Sequence, residues 1–139
     1  PRVPLLPRTS STSEVILLVS VGVNDVTGLT SLLRFQTGLF DLITGLHQRW
    51  PRARILLMGL PSLGCFAGVP WPLRTFMGAR ARLLDAVVER TAEIMQHTSH
   101  LDMHARFDAS MMADDGIHPD ANAHRSIAEA LLQKVESRG

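Results

Sequence analysis

The sequence predicts an α/β fold built on a parallel sheet, and three observations carry that reading. The run Val15-Ile16-Leu17-Leu18-Val19-Ser20-Val21 is apolar without alternation, as a strand covered on both faces must be. Two later stretches carry apolar residues at helical spacing, separated from the strands by Pro- and Gly-containing turns. The resulting order β-α-β-α-β-α calls for parallel strands joined by right-handed crossovers. The 139 residues suffice for one domain with a buried core, and 45% hydrophobic against 19% charged residues excludes a disordered chain.

Residues 1–14 read as an irregular lead-in, with Pro1, Pro4 and Pro7 and a cluster of Ser and Thr, and the domain proper runs over 15–139. After the first strand, Thr30 to Trp50 is predicted helical, with Leu32, Phe35, Leu39, Leu42, Ile43, Leu46 and Trp50 on one face and Pro51 ending it. Gly38 and Gly45 weaken this helix by about 1 kcal/mol each relative to alanine, and are expected to let it lie close to the sheet. Ala53 to Gly59 is the second strand. The loop Leu60 to Pro72 leads to a long helix whose expected stripe is Phe76, Leu83, Leu84, Val87, Thr91, Ile94 and Met95. Asp102 to Phe107 is predicted as the third strand, Asp108 to Ile117 as a loop, and Pro119 as the first turn of a last helix running to Ser137.

A net charge of +1 and scattered arginines give no case for a nucleic-acid partner. No apolar stretch is long enough for a membrane span, and Pro1 to Pro7 does not read as a signal peptide. Cys65 stands alone, so no intrachain disulfide forms and the chain leans towards a reducing, cytoplasmic compartment.

Ligands of parallel α/β sheets sit outside the carboxyl ends of the strands, where Asn24, the Leu60 loop and the 108–118 loop are all expected. The spacing of Asp115 and His118 lets the carboxylate fold back on the imidazole, fixing its tautomer and stabilising the imidazolium. The Asn24 amide is placed to donate to a tetrahedral oxyanion. Simpler readings compete: Asp115-Gly116 is a common turn dipeptide, His118 could cap the last helix, and Asn24-Asp25 could turn the chain at a strand end. His97, His100, Asp102 and His104 have ligand-like types but lack a compact paired spacing, so no metal site is expected.

The stretch Val-Ser-Val-Gly-Val-Asn-Asp-Val-Thr at 19–27 resembles the third conserved block of the SGNH hydrolases, the GDSL-type esterases and lipases. Ala-Asp-Asp-Gly-Ile-His-Pro at 113–119 resembles their fifth block, and Leu60-Pro61-Ser62-Leu63-Gly64 the loop after their fourth strand. The resemblance spans residues 15–132. It implies a three-layer α/β/α sandwich of flavodoxin-like type and cofactor-free hydrolysis of a small-molecule carboxylic ester. In it Asp115 is the triad acid, His118 the triad base, and Asn24 with Gly22 belong to the oxyanion hole.

The family's first block, the Gly-Asp-Ser carrying the nucleophile, has no counterpart in this sequence, and neither has the second. The chain opens on Pro1 rather than Met, so the expectation is the carboxyl-terminal part of such an enzyme, impaired by itself and lacking the first strands of its sheet. An alternative is a non-catalytic binding domain of the same descent. Ser62 is a near miss to a nucleophile elbow, with Leu60 where the first glycine is needed. Cys65 is a lone cysteine, and Ser10, Ser11 and Ser13 lie on the lead-in, so the nucleophile stays unassigned. An uncovered strand at Val15 to Val21 is expected to favour self-association.

Overall fold

The computed structural model describes residues 14–106 and 109–137, so the lead-in to Ser13, Phe107 and Asp108 lie outside the described residues. Strands β1 (Ile16–Ser20), β2 (Arg54–Met58) and β3 (Thr98–Leu101) form a parallel sheet in that order. Leu18 faces Leu56 across β1 and β2, and Leu57 faces His100 across β2 and β3. Helices α1 (Val23–Thr27) and α2 (Leu32–Arg49) follow β1, α3 (Leu73–Ile94) follows β2, and α4 (Ala121–Glu136) closes the described chain.

Strand β2 explains why its sequence has no polar alternation. Ile55 and Leu57 join a core with Phe35, Leu39 and Ile43 of α2 and Leu84 and Val88 of α3. Leu56 and Met58 turn the other way, into a smaller core with Leu101, Met103 and Ala123 and Ala130 of α4. The sheet is therefore the middle layer of the expected three-layer α/β/α sandwich, with α2 and α3 on one face and α4 on the other. Strand β1 is covered differently. Leu17 and Val19 pack on the α2–α3 side, while Leu18 is 49% exposed because the α4 core reaches only β2 and β3. Among the described residues β1 pairs with β2 alone.

Three expectations are corrected by the structure. The third strand is Thr98–Leu101 rather than Asp102 to Phe107. His97, at φ 52°, turns the chain straight from α3 into a short, half-polar edge strand that lacks the apolar run of a central one. The buried face of α3 is Ala81, Leu84, Asp85, Val88, Thr91 and Ala92; Phe76, Leu83 and Ile94 of the expected stripe are exposed. Two of these buried positions are small alanines and one is a carboxylate, which a periodicity weighted by large apolar side chains misses. Gly38 and Gly45 face open space, with nothing within 4 Å of an added Cβ, so they do not mediate close packing. Helix α2 otherwise follows the sequence: Phe35, Leu39, Ile43 and Leu46 are buried, Leu42 and Trp50 partly so, and only Leu32 falls outside. No described helix is long and apolar enough to cross a membrane.

Candidate active site

The segment after β1 begins at Gly22, buried at φ 112°, a left-handed conformation that favours glycine. An added Cβ there would meet the Leu60 side chain at 3.1 Å, so the end of β1 and the loop after β2 are in contact. Gly22 O accepts from Val26 N–H at 3.0 Å and opens α1, which carries Asn24 in its first turn. Asn24 is exposed and its backbone carbonyl accepts from Gly28 N–H and the Thr27 hydroxyl. Its side chain caps nothing, since Gly22 is the N-cap residue.

The loop after β3 is built as a narrow turn. Met112 and Pro119 form an antiparallel bridge, Ala113 N–H donates to His118 O at 2.8 Å, and Asp120 N–H to Met111 O at 2.8 Å. At its tip, Asp115 Oδ1 accepts from the backbone N–H groups of Ile117 (2.9 Å) and His118 (3.0 Å). Asp115 Oδ2 lies 2.5 Å from His118 Nδ1. The hydrogen bond from the His118 ring, then those from the two amides, hold the Asp115 carboxyl well below the usual carboxylate range. An ionised carboxylate only accepts, so Nδ1 carries the proton and Nε2 of the neutral ring is left as an acceptor. The His118 side chain is 76% exposed, so Nε2 is open to an incoming group.

The turn and the site are thus one device: the Asp-Gly dipeptide that makes the turn also supplies the carboxylate for the ring. Gly116 sits at φ 65°, and its carbonyl accepts from Gly68 N–H at 3.1 Å, which fastens the His118 turn to the Leu60–Pro72 loop. His118 does not cap the last helix. Asp120 does, its side chain accepting from Ala123 N–H at 2.8 Å, and α4 starts two residues after Pro119, which is spent on the bridge to Met112.

Ser62 precedes the 3-10 turn Leu63–Cys65 in extended backbone, without the strand-to-helix elbow that presents a nucleophile. No hydrogen bond joins it to His118 among the described residues. Ser10, Ser11 and Ser13 lie outside the described residues.

Two residues that the sequence reading passed over organise this edge from α3. The Asp85 side chain accepts from Leu60 N–H at 2.9 Å and lies 3.1 Å from His100 Nε2 and 3.7 Å from His104 Nε2. Burial opposes its charge, but the His100 hydrogen bond, the Leu60 amide and the two imidazoles outweigh that and lower its pKa. A carboxylate amid the buried face of a helix was the signal available in the sequence. The second residue is Arg80, whose guanidinium donates to carbonyls of the 25–30 segment. Nothing in the sequence marks it among the other arginines. No cluster of three or more His, Cys, Asp or Glu suited to a metal ion occurs among the described residues.

Comparison with curated proteins finds no match. Among solved structures the chain is similar to LAE5, an α/β hydrolase enzyme from the metagenome of Lake Arreo, with TM-score 0.63 and 19% identity over 85% of this chain and 58% of that one. It is similar to a carbohydrate esterase family 3 protein from Talaromyces cellulolyticus, with TM-score 0.63 and 18% identity over 88% and 57%. It is also similar to Axe2, an acetylxylan esterase from Geobacillus stearothermophilus, with TM-score 0.59 and 20% identity over 87% and 59%. The chain spans less than two thirds of the length of each, and at these identities the likeness shows the fold. The profile of the GDSL-like lipase/acylhydrolase family matches residues 1–126, so the chain belongs to that family, the SGNH hydrolases.

Proposed function

We propose that this site hydrolyses carboxylic esters by acyl transfer to an oxygen nucleophile and then to water. His118 Nε2 takes the proton of the attacking hydroxyl and returns it to the leaving alcohol; Asp115 orients the ring and stabilises its cation. Asn24, with the Gly22 segment, donates to the oxyanion of the tetrahedral intermediate, a contribution typically of ~3 kcal/mol. The observation that carries the reading is the ionised Asp115 on His118 Nδ1, which leaves Nε2 open to solvent. Membership of an acylhydrolase family supports the same reaction class.

The nucleophile is not assigned to a residue of this chain. Gly-Asp-Ser is absent from the sequence and Ser62 lacks the elbow geometry, so residues 1–139 by themselves are expected to turn over esters weakly. An aryl acetate is the probe, an acetyl group being the acyl chain that the name of the similar acetylxylan esterase carries. The expected result is slow hydrolysis that falls further on His118→Ala, because His118 Nε2 is the base that takes the proton of whichever hydroxyl attacks the ester, water included. Equal rates for wild type and His118→Ala overturn the proposal. Fast turnover abolished by Ser62→Ala would instead assign Ser62 as the nucleophile.

A further inference from the structure

Asn24 sits in α1, a helix of five residues that is too short to hold itself, so its position must be imposed from outside. The segment behind it is also strained: Leu29, with a branched side chain, has φ 54°. The backbone bonds that close this segment include Gly28 N–H to Asn24 O at 2.8 Å and Thr30 N–H to Asp25 O at 3.1 Å. Val26 O accepts from Leu29 N–H at 3.4 Å, and no further helical turn follows α1 to hold that arrangement.

We propose that Arg80 is the positioning residue for Asn24. Its guanidinium binds three carbonyls of this segment from α3: Nε–H donates to Val26 O at 3.2 Å, and Nη2 donates to Asp25 O at 3.2 Å and Thr30 O at 2.8 Å. A planar fork with fixed donor directions can hold three carbonyls in one relative arrangement, which a lysine ammonium on a flexible stem cannot. The positive charge also complements the carbonyl end of a helix. Helix α3 is anchored in the main core through Ala81, Leu84 and Val88, so the fork ties the Asn24 segment to that core. The consequence for catalysis rests on the oxyanion role proposed for Asn24. The clamp itself does not.

The test is amide hydrogen exchange on the whole chain with Arg80→Met, which keeps the stem and removes the donors, and Arg80→Lys, which keeps the charge. Protection of the Gly28 and Thr30 amides is expected to fall about ten-fold or more in Arg80→Met, with Ile55 and Gly59 of the central strand region unchanged. Arg80→Lys should recover only part of it. Unchanged Gly28 and Thr30 protection, an equal fall at Ile55 and Gly59, or full recovery by lysine would each overturn the clamp. On the His118-dependent aryl acetate rate, Arg80→Met is expected to lower kcat about ten-fold at constant KM and to add nothing to Asn24→Ala. An additive loss in the double variant overturns the link to Asn24. If wild type and His118→Ala do not differ, the esterase reading fails and the exchange data still decide the clamp.

Discussion

His118 and Asp115 show how one carboxylate can serve structure and chemistry together. Oδ1 closes the turn through two amides while Oδ2 holds the ring, so loss of the charge loosens both. The folded-state pKa of Asp115 is depressed, so its stabilisation is present above its unfolded value, about 4, and is lost as pH falls towards the folded one. Titration from pH 7 into acid is therefore expected to expose the Ile117 and His118 amides to exchange, and Asp115→Asn to show that fast exchange already at pH 7. Persistent protection of both amides in Asp115→Asn would contradict the assignment. Asp85 follows the same sign at a buried position, 7% exposed, where its removal leaves the Leu60 amide and the His100 ring without their acceptor. Asp85→Ala is expected to destabilise by about 2–4 kcal/mol in urea unfolding at pH 7, and by less in acid. An effect that does not shrink with acidification would mean that packing, rather than the carboxylate, is what matters there.

Elements at this edge are held by contacts between loops as much as by the sheet. An added Cβ on Gly116 would fall 2.5 Å from Gly68 N, and Gly116 is at φ 65°, so alanine there meets both backbone strain and a collision. Gly116→Ala is expected to cost about 1–3 kcal/mol and to displace the His118 turn, seen as loss of the Asp115–His118 hydrogen bond by NMR. Normal stability with that bond intact would show that the two loops part easily. The exposed glycines of α2 behave in the opposite way. Gly38→Ala and Gly45→Ala meet no neighbour within 4 Å, so each should stabilise by roughly 0.5–1 kcal/mol through helix propensity alone. A fall in the thermal midpoint of either variant would reveal a hidden packing role. Helix α3 differs from α2 in using alanines and one carboxylate on its buried face, which is why α2 was legible in the sequence and the face of α3 was not.

At the scale of the whole molecule, coverage of the sheet is unequal. Both faces of β2 are buried, whereas β1 leaves Leu18 exposed and, among the described residues, one edge without a strand partner. An apolar, uncharged edge of this kind is a template for pairing. Size-exclusion chromatography of residues 1–139 is expected to show association that weakens on Leu18→Lys, since a charge on an edge strand opposes pairing. A monomer in both forms would show that the edge is protected. The sequence by itself determined the strand-helix alternation, the parallel sheet and the Asp115–His118 pairing. These follow from local properties: apolar periodicity, turn chemistry and the three-residue spacing of a carboxylate and an imidazole. Only the tertiary structure decided which residues of α3 face the core, where the polar edge strand β3 runs, and that Asp85 and Arg80 hold the loops. Those outcomes depend on partners twenty or more positions away in the chain, Leu60 for Asp85 and Asp25 to Thr30 for Arg80, and no local pattern encodes such pairings.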